Sequence, residues 1–188
     1  MFAYRERLRG WIPNALSVSR MVMSVPLAVG LYRFLAEGTS GRMVILILLM
    51  MLATDVLDGR LARRWECTSD TGAVLDVAGD LLMALLSAIA MCAAETVTLL
   101  VPSMEVLLIA QFFITSRISG GRMRLKYDIL GRMAGMTFML MPLAVVLIRL
   151  MDPNAVAPMT LMVVMAMTLS VASIAVRASS IVTRPTDP

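Results

Sequence analysis

MVILILLMMLATDVLDGRLAR, residues 43–63, and GAVLDVAGDLLMALLSAIAMCAA, residues 72–94, decide how this chain is to be read. Each is long enough for the roughly 20-residue helix that crosses a hydrocarbon core. Each also carries two acids, Asp55 and Asp58 in the first and Asp76 and Asp80 in the second. Residues three or four apart share one face of a helix, so each pair can aim at a common point. An ionised carboxylate at membrane depth costs a few kcal/mol or more, and four together repel unless something positive compensates. The two stretches therefore predict membrane helices that carry a cation site.

The remainder of the chain agrees. Of its 188 residues 59% are hydrophobic, and the mean hydropathy of +0.83 is far above that of a soluble globule. Six apolar segments, at about 12–32, 43–63, 72–94, 97–117, 133–150 and 157–177, predict an all-α polytopic membrane protein. The apolar runs are too continuous and the aromatics too few for the alternating strands of an outer-membrane barrel. Residues 1–188 read as one domain, with a short interfacial helix at 1–10 and a flexible tail at 178–188. Arg20 in the first span, and the lack of a small-residue cleavage site, argue against a cleaved signal.

Basic residues set the orientation. Arg5, Arg7 and Arg9 precede the first span, and Arg60, Arg63 and Arg64 lie between the second and third. Arg117, Arg122, Arg124, Lys126 and Arg132 lie between the fourth and fifth, with Arg177 and Arg184 after the sixth. The opposite side has only Arg33, Arg42 and Arg149, which predicts both termini in the cytoplasm of a bacterial-type inner membrane. The aspartates then lie toward the cytoplasmic ends of their spans. The net charge of +4 reads as topology and attraction to anionic lipid, because no basic module interleaved with aromatics suggests nucleic acid. Cys67 and Cys92 are too few for a disulfide scaffold or a zinc cage, and the 19 Met read as adaptable packing.

The chain contains no histidine, so a metal at Asp55, Asp58, Asp76 and Asp80 would be held by oxygen alone. That donor set favours Mg²⁺ or Mn²⁺ over zinc or copper. Two such ions can bridge the oxygens of a transferring phosphoryl group and neutralise its leaving group. Gly59, Ala62 and Gly72 remove bulk where a substrate could approach, and Arg63 offers a planar cation suited to a diphosphate. Close helix packing and topology explain each of these singly. Packing does not call for four acids.

The pattern Asp55-x-x-Asp58-Gly59-x-x-Ala62-Arg63, followed by Gly72-x-x-x-Asp76-x-x-x-Asp80, resembles the signature of the CDP-alcohol phosphotransferase family at every fixed position. Residues 12–20, IPNALSVSR, are similar to the opening of bacterial phosphatidylglycerophosphate synthases. The resemblance implies transfer of a phosphatidyl group from CDP-diacylglycerol to an alcohol, with release of CMP, at a two-ion site. Asp55, Asp58 and Asp76 would then ligate metal. Asp80 would complete the site and act as general base. Asp58, Gly59, Ala62, Arg63 and Gly72 would surround the cytidine diphosphate, and the enzyme would be a homodimer.

The acceptor half departs from those synthases. They commonly carry Pro after the third aspartate, Lys after the fourth and an Arg-Glu pair in the fourth span, where this chain has Val77, Leu81 and Gln111-Phe112. Their Gly-Lys-x-Lys-Thr element reads Gly131-Arg132-Met133-Ala134-Gly135. Arg117, Arg124, Lys126 and Arg132 nonetheless form a candidate pocket for a phosphorylated alcohol, glycerol 3-phosphate first, inositol phosphate or another headgroup second. An ordinary cytoplasmic basic loop is the competing account of these residues. Outside this class, the aspartates could line a cation path, or the chain could be an inactive scaffold. Few polar residues in the other spans complete such a path, and four retained aspartates do not suggest decay.

Overall fold

The computed structural model describes residues 2–64, 70–118 and 129–182, and within these the side chains of 15, 17–54, 57, 60, 74–114 and 129–179. Six helices account for nearly all of it: α1 Phe2–Glu37, α2 Arg42–Arg64, α3 Asp70–Ala93, α4 Leu100–Ile118, α5 Ile129–Met151 and α6 Ala157–Val182. No strand occurs among the described residues. Short connections at 38–41, 94–99 and 152–156 turn each odd helix back into its successor. α3 is the hub. It packs on α1, α4 and α5, while α1 also holds α2, and α6 closes against α4 and α5.

Local sequence explains the first turn. Gly38 ends α1 with φ 67°, the left-handed conformation that glycine adopts without penalty. Gly41 opens α2 against the Phe34 ring, one carbon of which lies 2.9 Å from where a Cβ would sit, so no larger residue fits without moving that ring. Along α1, Ser17, Arg20, Ser24, Leu27 and Leu31 recur at spacings of three and four and are all buried. This stripe begins polar and becomes apolar. Its apolar end joins Val44, Met91, Val101, Met141, Val145 and Val146 in the core.

The exterior is apolar as well. Val22, Met43, Leu161 and Leu100 are each more than 60% exposed, an arrangement suited to lipid. Four helices contain stretches long and apolar enough to cross a membrane: Ser17–Glu37, Val74–Ala93, Ile129–Met151 and Ala157–Ser179. Four of the six expected spans thus meet this measure among the described residues; in α2 and α4 the apolar stretches Arg42–Thr54 and Leu100–Ile114 run up to the point where the described side chains end. Asp55, Asp58, Arg60, Arg63 and Arg64 crowd the last turns of α2, and Arg117 lies in the last turn of α4.

The termini differ from expectation. α1 runs unbroken from Phe2, so residues 1–10 do not form a separate interfacial helix; Arg5, Glu6, Arg7 and Leu8 are good helix formers and nothing among them stops the helix. At the other end α6 continues to Val182, so the first residues of the expected flexible tail are helical. The last residues of that tail, from 183, lie outside the described ones.

Candidate active site

Asp76 and Asp80 lie one turn apart on α3, and the structure brings them together as their spacing predicts. Both turn toward α1. There Nη1 of Arg20 donates to Oδ1 of Asp76 at 2.9 Å and to Oδ1 of Asp80 at 2.7 Å. The guanidinium is 1% exposed, whereas the two acid side chains are 44% and 31% exposed. The cation is therefore sealed behind the carboxylates, which face outward. Charge-assisted bonds of this length are about twice as strong as neutral ones.

Small and polar groups let the two helices meet. The Cβ position of Gly79 lies 3.5 Å from the backbone oxygen of Ser17 and 3.6 Å from Cγ of Met21. A methyl would just touch there; a larger side chain would push α1 and α3 apart. Ser17 and Ser24 flank Arg20 on the same buried stripe, and the Ser24 hydroxyl donates to the Met21 carbonyl at 2.6 Å. The pairing of Arg20 with the aspartates thus depends on close contact between elements 56 and 60 residues apart in sequence.

Behind Asp80 opens a cavity of about 200 Å³ between α3, α4, α5 and α6. Its apolar walls include Leu81, Ala84, Leu108 and Phe138, and its polar groups come from Asp80, Glu105, Arg132, Ser173 and Arg177. Arg177 is held 5.5 Å over the ring of Phe112, a cation–π contact. Nε2 of Gln111 donates to the carbonyl of Ile174 at 3.2 Å, which ties α4 to α6 beside that ring. Asp80 is the common wall, with the Arg20 pair on one side and the cavity on the other.

The remaining expected residues divide into two groups. Asp55, Asp58, Gly59, Ala62 and Arg63 stand in the second half of α2, Gly72 in the first turn of α3 and Arg117 in the last turn of α4, but their side chains lie outside the described ones. Arg122, Arg124 and Lys126 lie outside the described residues altogether. Arg132, near the start of α5, does line the cavity. Among the described residues no three acidic or thiol side chains gather as a metal site. Arg20, Glu105, Ser173 and Arg177 were not singled out as site residues by sequence reasoning. For Arg20 and Glu105 the signal was available, since an isolated charge within an apolar span is as costly as the aspartates were.

Comparison with known proteins follows the same direction. The family model for CDP-alcohol phosphatidyltransferase matches residues 10–184. No curated relative and no solved structure matches the chain.

Proposed function

Because the chain belongs to the CDP-alcohol phosphatidyltransferase family, a membership that implies transfer of a phosphatidyl group from a CDP-alcohol to an acceptor, we propose that it moves this group from CDP-diacylglycerol to a phosphorylated alcohol, glycerol 3-phosphate in the first instance, and releases CMP. One observation carries the reading: Asp80 joins a paired-carboxylate face to a cavity that two arginines, Arg132 and Arg177, also line. A phosphate accepts bidentate bonds from guanidinium groups, and a free alcohol such as glycerol or inositol has no anionic group to use two of them.

In this reading the acceptor occupies the cavity with its phosphate toward Arg132 and Arg177 and one hydroxyl toward Asp80. That hydroxyl oxygen attacks the phosphatidyl phosphorus. A new O–P bond forms, the bond from phosphorus to the CMP oxygen breaks, its electron pair leaves with CMP, and the hydroxyl proton passes to Asp80. Arg20 holds one oxygen of Asp76 and one of Asp80 in register for this work. The donor set is carboxylate only in a chain without histidine, and the side chains of Asp76 and Asp80 are partly open, so the residues fit Mg²⁺ or Mn²⁺. Asp55, Asp58, Asp76 and Asp80 would hold two such ions, whose chemistry is to neutralise phosphate charge and steady the leaving group. Asp58, Gly59, Ala62, Arg63 and Gly72 would border the cytidine diphosphate.

The same proposal places the site at the cytoplasmic face of a bacterial-type inner membrane, with both termini on that side and a homodimer as the working unit. The excess of basic residues at the ends flanking the site supports the orientation. Purified protein incubated with CDP-diacylglycerol, Mg²⁺ and a panel of alcohols tests the function. CMP should appear in step with a phosphorylated-headgroup lipid. Turnover only with free alcohols would overturn the acceptor, and cation flux through liposomes without CMP would overturn the enzyme.

A further inference from the structure

Glu105 is the one acid on α4, and it is 2% exposed. Neither of its carboxyl oxygens meets a hydrogen-bonding protein group among the described residues. Leaving such a group unpaired in an apolar interior is costly, and native chains bury few of them. Its place is specific. Glu105 lines the cavity behind Asp80 together with Leu108, Ile109 and Phe112 of the same helix. Seven residues separate it from Phe112, which puts it about 10 Å further along the helix axis. Since Arg177 sits over Phe112, the cavity has a cationic end and, at the far end of its α4 wall, a carboxyl.

We infer that Glu105 is a specificity-determining residue that binds a second hydroxyl of the acceptor, so that the cavity selects polyol phosphates over phosphates with a single hydroxyl. The inference rests on the transferase reading above and names the substrate class of that site. A hydroxyl both donates and accepts, so it satisfies a carboxyl in either protonation state. An alkyl group would leave the carboxyl as it stands now, buried without a hydrogen-bonding partner among the described residues. The acceptor thus has three points of contact: phosphate at the arginines, reacting hydroxyl at Asp80 and a further hydroxyl at Glu105.

The test compares each polyol phosphate with its deoxy analogue: glycerol 3-phosphate with 3-hydroxypropyl phosphate, and inositol 1-phosphate with 2-hydroxycyclohexyl phosphate. Binding to the full-length protein in detergent is measured by titration calorimetry, so that this result does not depend on turnover. For at least one pair the native protein should bind the polyol about tenfold tighter or more, the effect of one hydrogen bond to a buried carboxyl. Glu105→Leu should bring the ratio near one, while Glu105→Gln, which keeps a donor and an acceptor, should retain most of it. Equal binding within both pairs, or a preference that survives Glu105→Leu, would overturn the proposal. So would failure of Glu105→Leu to fold, since that would show the carboxyl to be a structural group and not one kept for a ligand. CMP release by the native protein is followed in parallel; its absence, with the binding preference intact, would refute the transferase reading and leave the polyol site standing.

Discussion

The two halves of the bundle treat buried charge in opposite ways. Between α1 and α3 the chain pairs its own charges, with Nη1 of Arg20 bonded to both Asp76 and Asp80 across a contact kept close by Gly79. Between α4, α5 and α6 it leaves Glu105 without a hydrogen-bonding protein partner among the described residues, beside an open cavity. The first half is arranged to hold groups in place before any substrate arrives; the second is arranged to be completed by one. A transferase with one fixed donor and a selected acceptor calls for this division.

The strongest way to break the comparison is at the paired side. Asp76→Asn should lower CMP release by at least about a thousandfold while the protein still elutes as a folded, inserted species, because in the proposed mechanism the carboxylate would serve metal binding as well as the Arg20 contact. Asp80→Asn should be nearly as damaging. An Asp76→Asn protein that kept most of its activity would remove the mechanism.

Next is the cation itself. Arg20→Met leaves Asp76 and Asp80 without their counter-charge, and because both acids are partly open to solvent the loss should be about 1–2 kcal/mol, below the roughly 3–5 kcal/mol of a fully buried pair. Thermal or denaturant unfolding in detergent should show that loss. A change below about 1 kcal/mol would mean that solvent, not Arg20, carries the aspartates.

The acceptor side should respond differently. Arg132→Ala or Arg177→Ala should raise the KM for the phosphorylated acceptor by about 10- to 100-fold, corresponding to roughly 1.5–3 kcal/mol for a bond to a charged group. The KM for CDP-diacylglycerol should change far less, and unfolding should scarcely shift. Equal effects on both substrates would erase the distinction between the halves. The smallest expected effect is at Gly79, where alanine only touches Ser17 and Met21 and gains up to about 1 kcal/mol of helix propensity. Gly79→Ala should therefore unfold within about 1 kcal/mol of the native protein, while Gly79→Leu should lose both stability and activity.

The helices were legible because apolar length is written along the chain. The segment expected at 43–63 is α2, Arg42–Arg64, and that at 72–94 is α3, Asp70–Ala93. What hydropathy could not show is where a helix outlasts its apolar run, as α1 does at its start and α6 at its end. The facing of Asp76 with Asp80 was legible for the same local reason. Their partner was not, because no spacing rule links residue 20 to residues 76 and 80; that contact exists only once α1 packs on α3. Arg177 was read as a mark of orientation, and its place over Phe112 requires α4 and α6 to meet. Glu105, unaccompanied in its span, belonged to no pattern and so drew no reading at all.

The burial of Arg20 also bears on how the protein is made. A ribosome delivers α1 first, with a guanidinium inside the stretch that must enter lipid and with its acceptors still 56 and 60 residues from synthesis. An arginine near the middle of an inserting helix costs about 2.5–3.5 kcal/mol, and less toward its end. Until α3 emerges, the nascent first helix carries what penalty there is alone. The arrival of Asp76 and Asp80 removes it, so the groups that pair in the completed bundle also act as the latch that closes it during biogenesis.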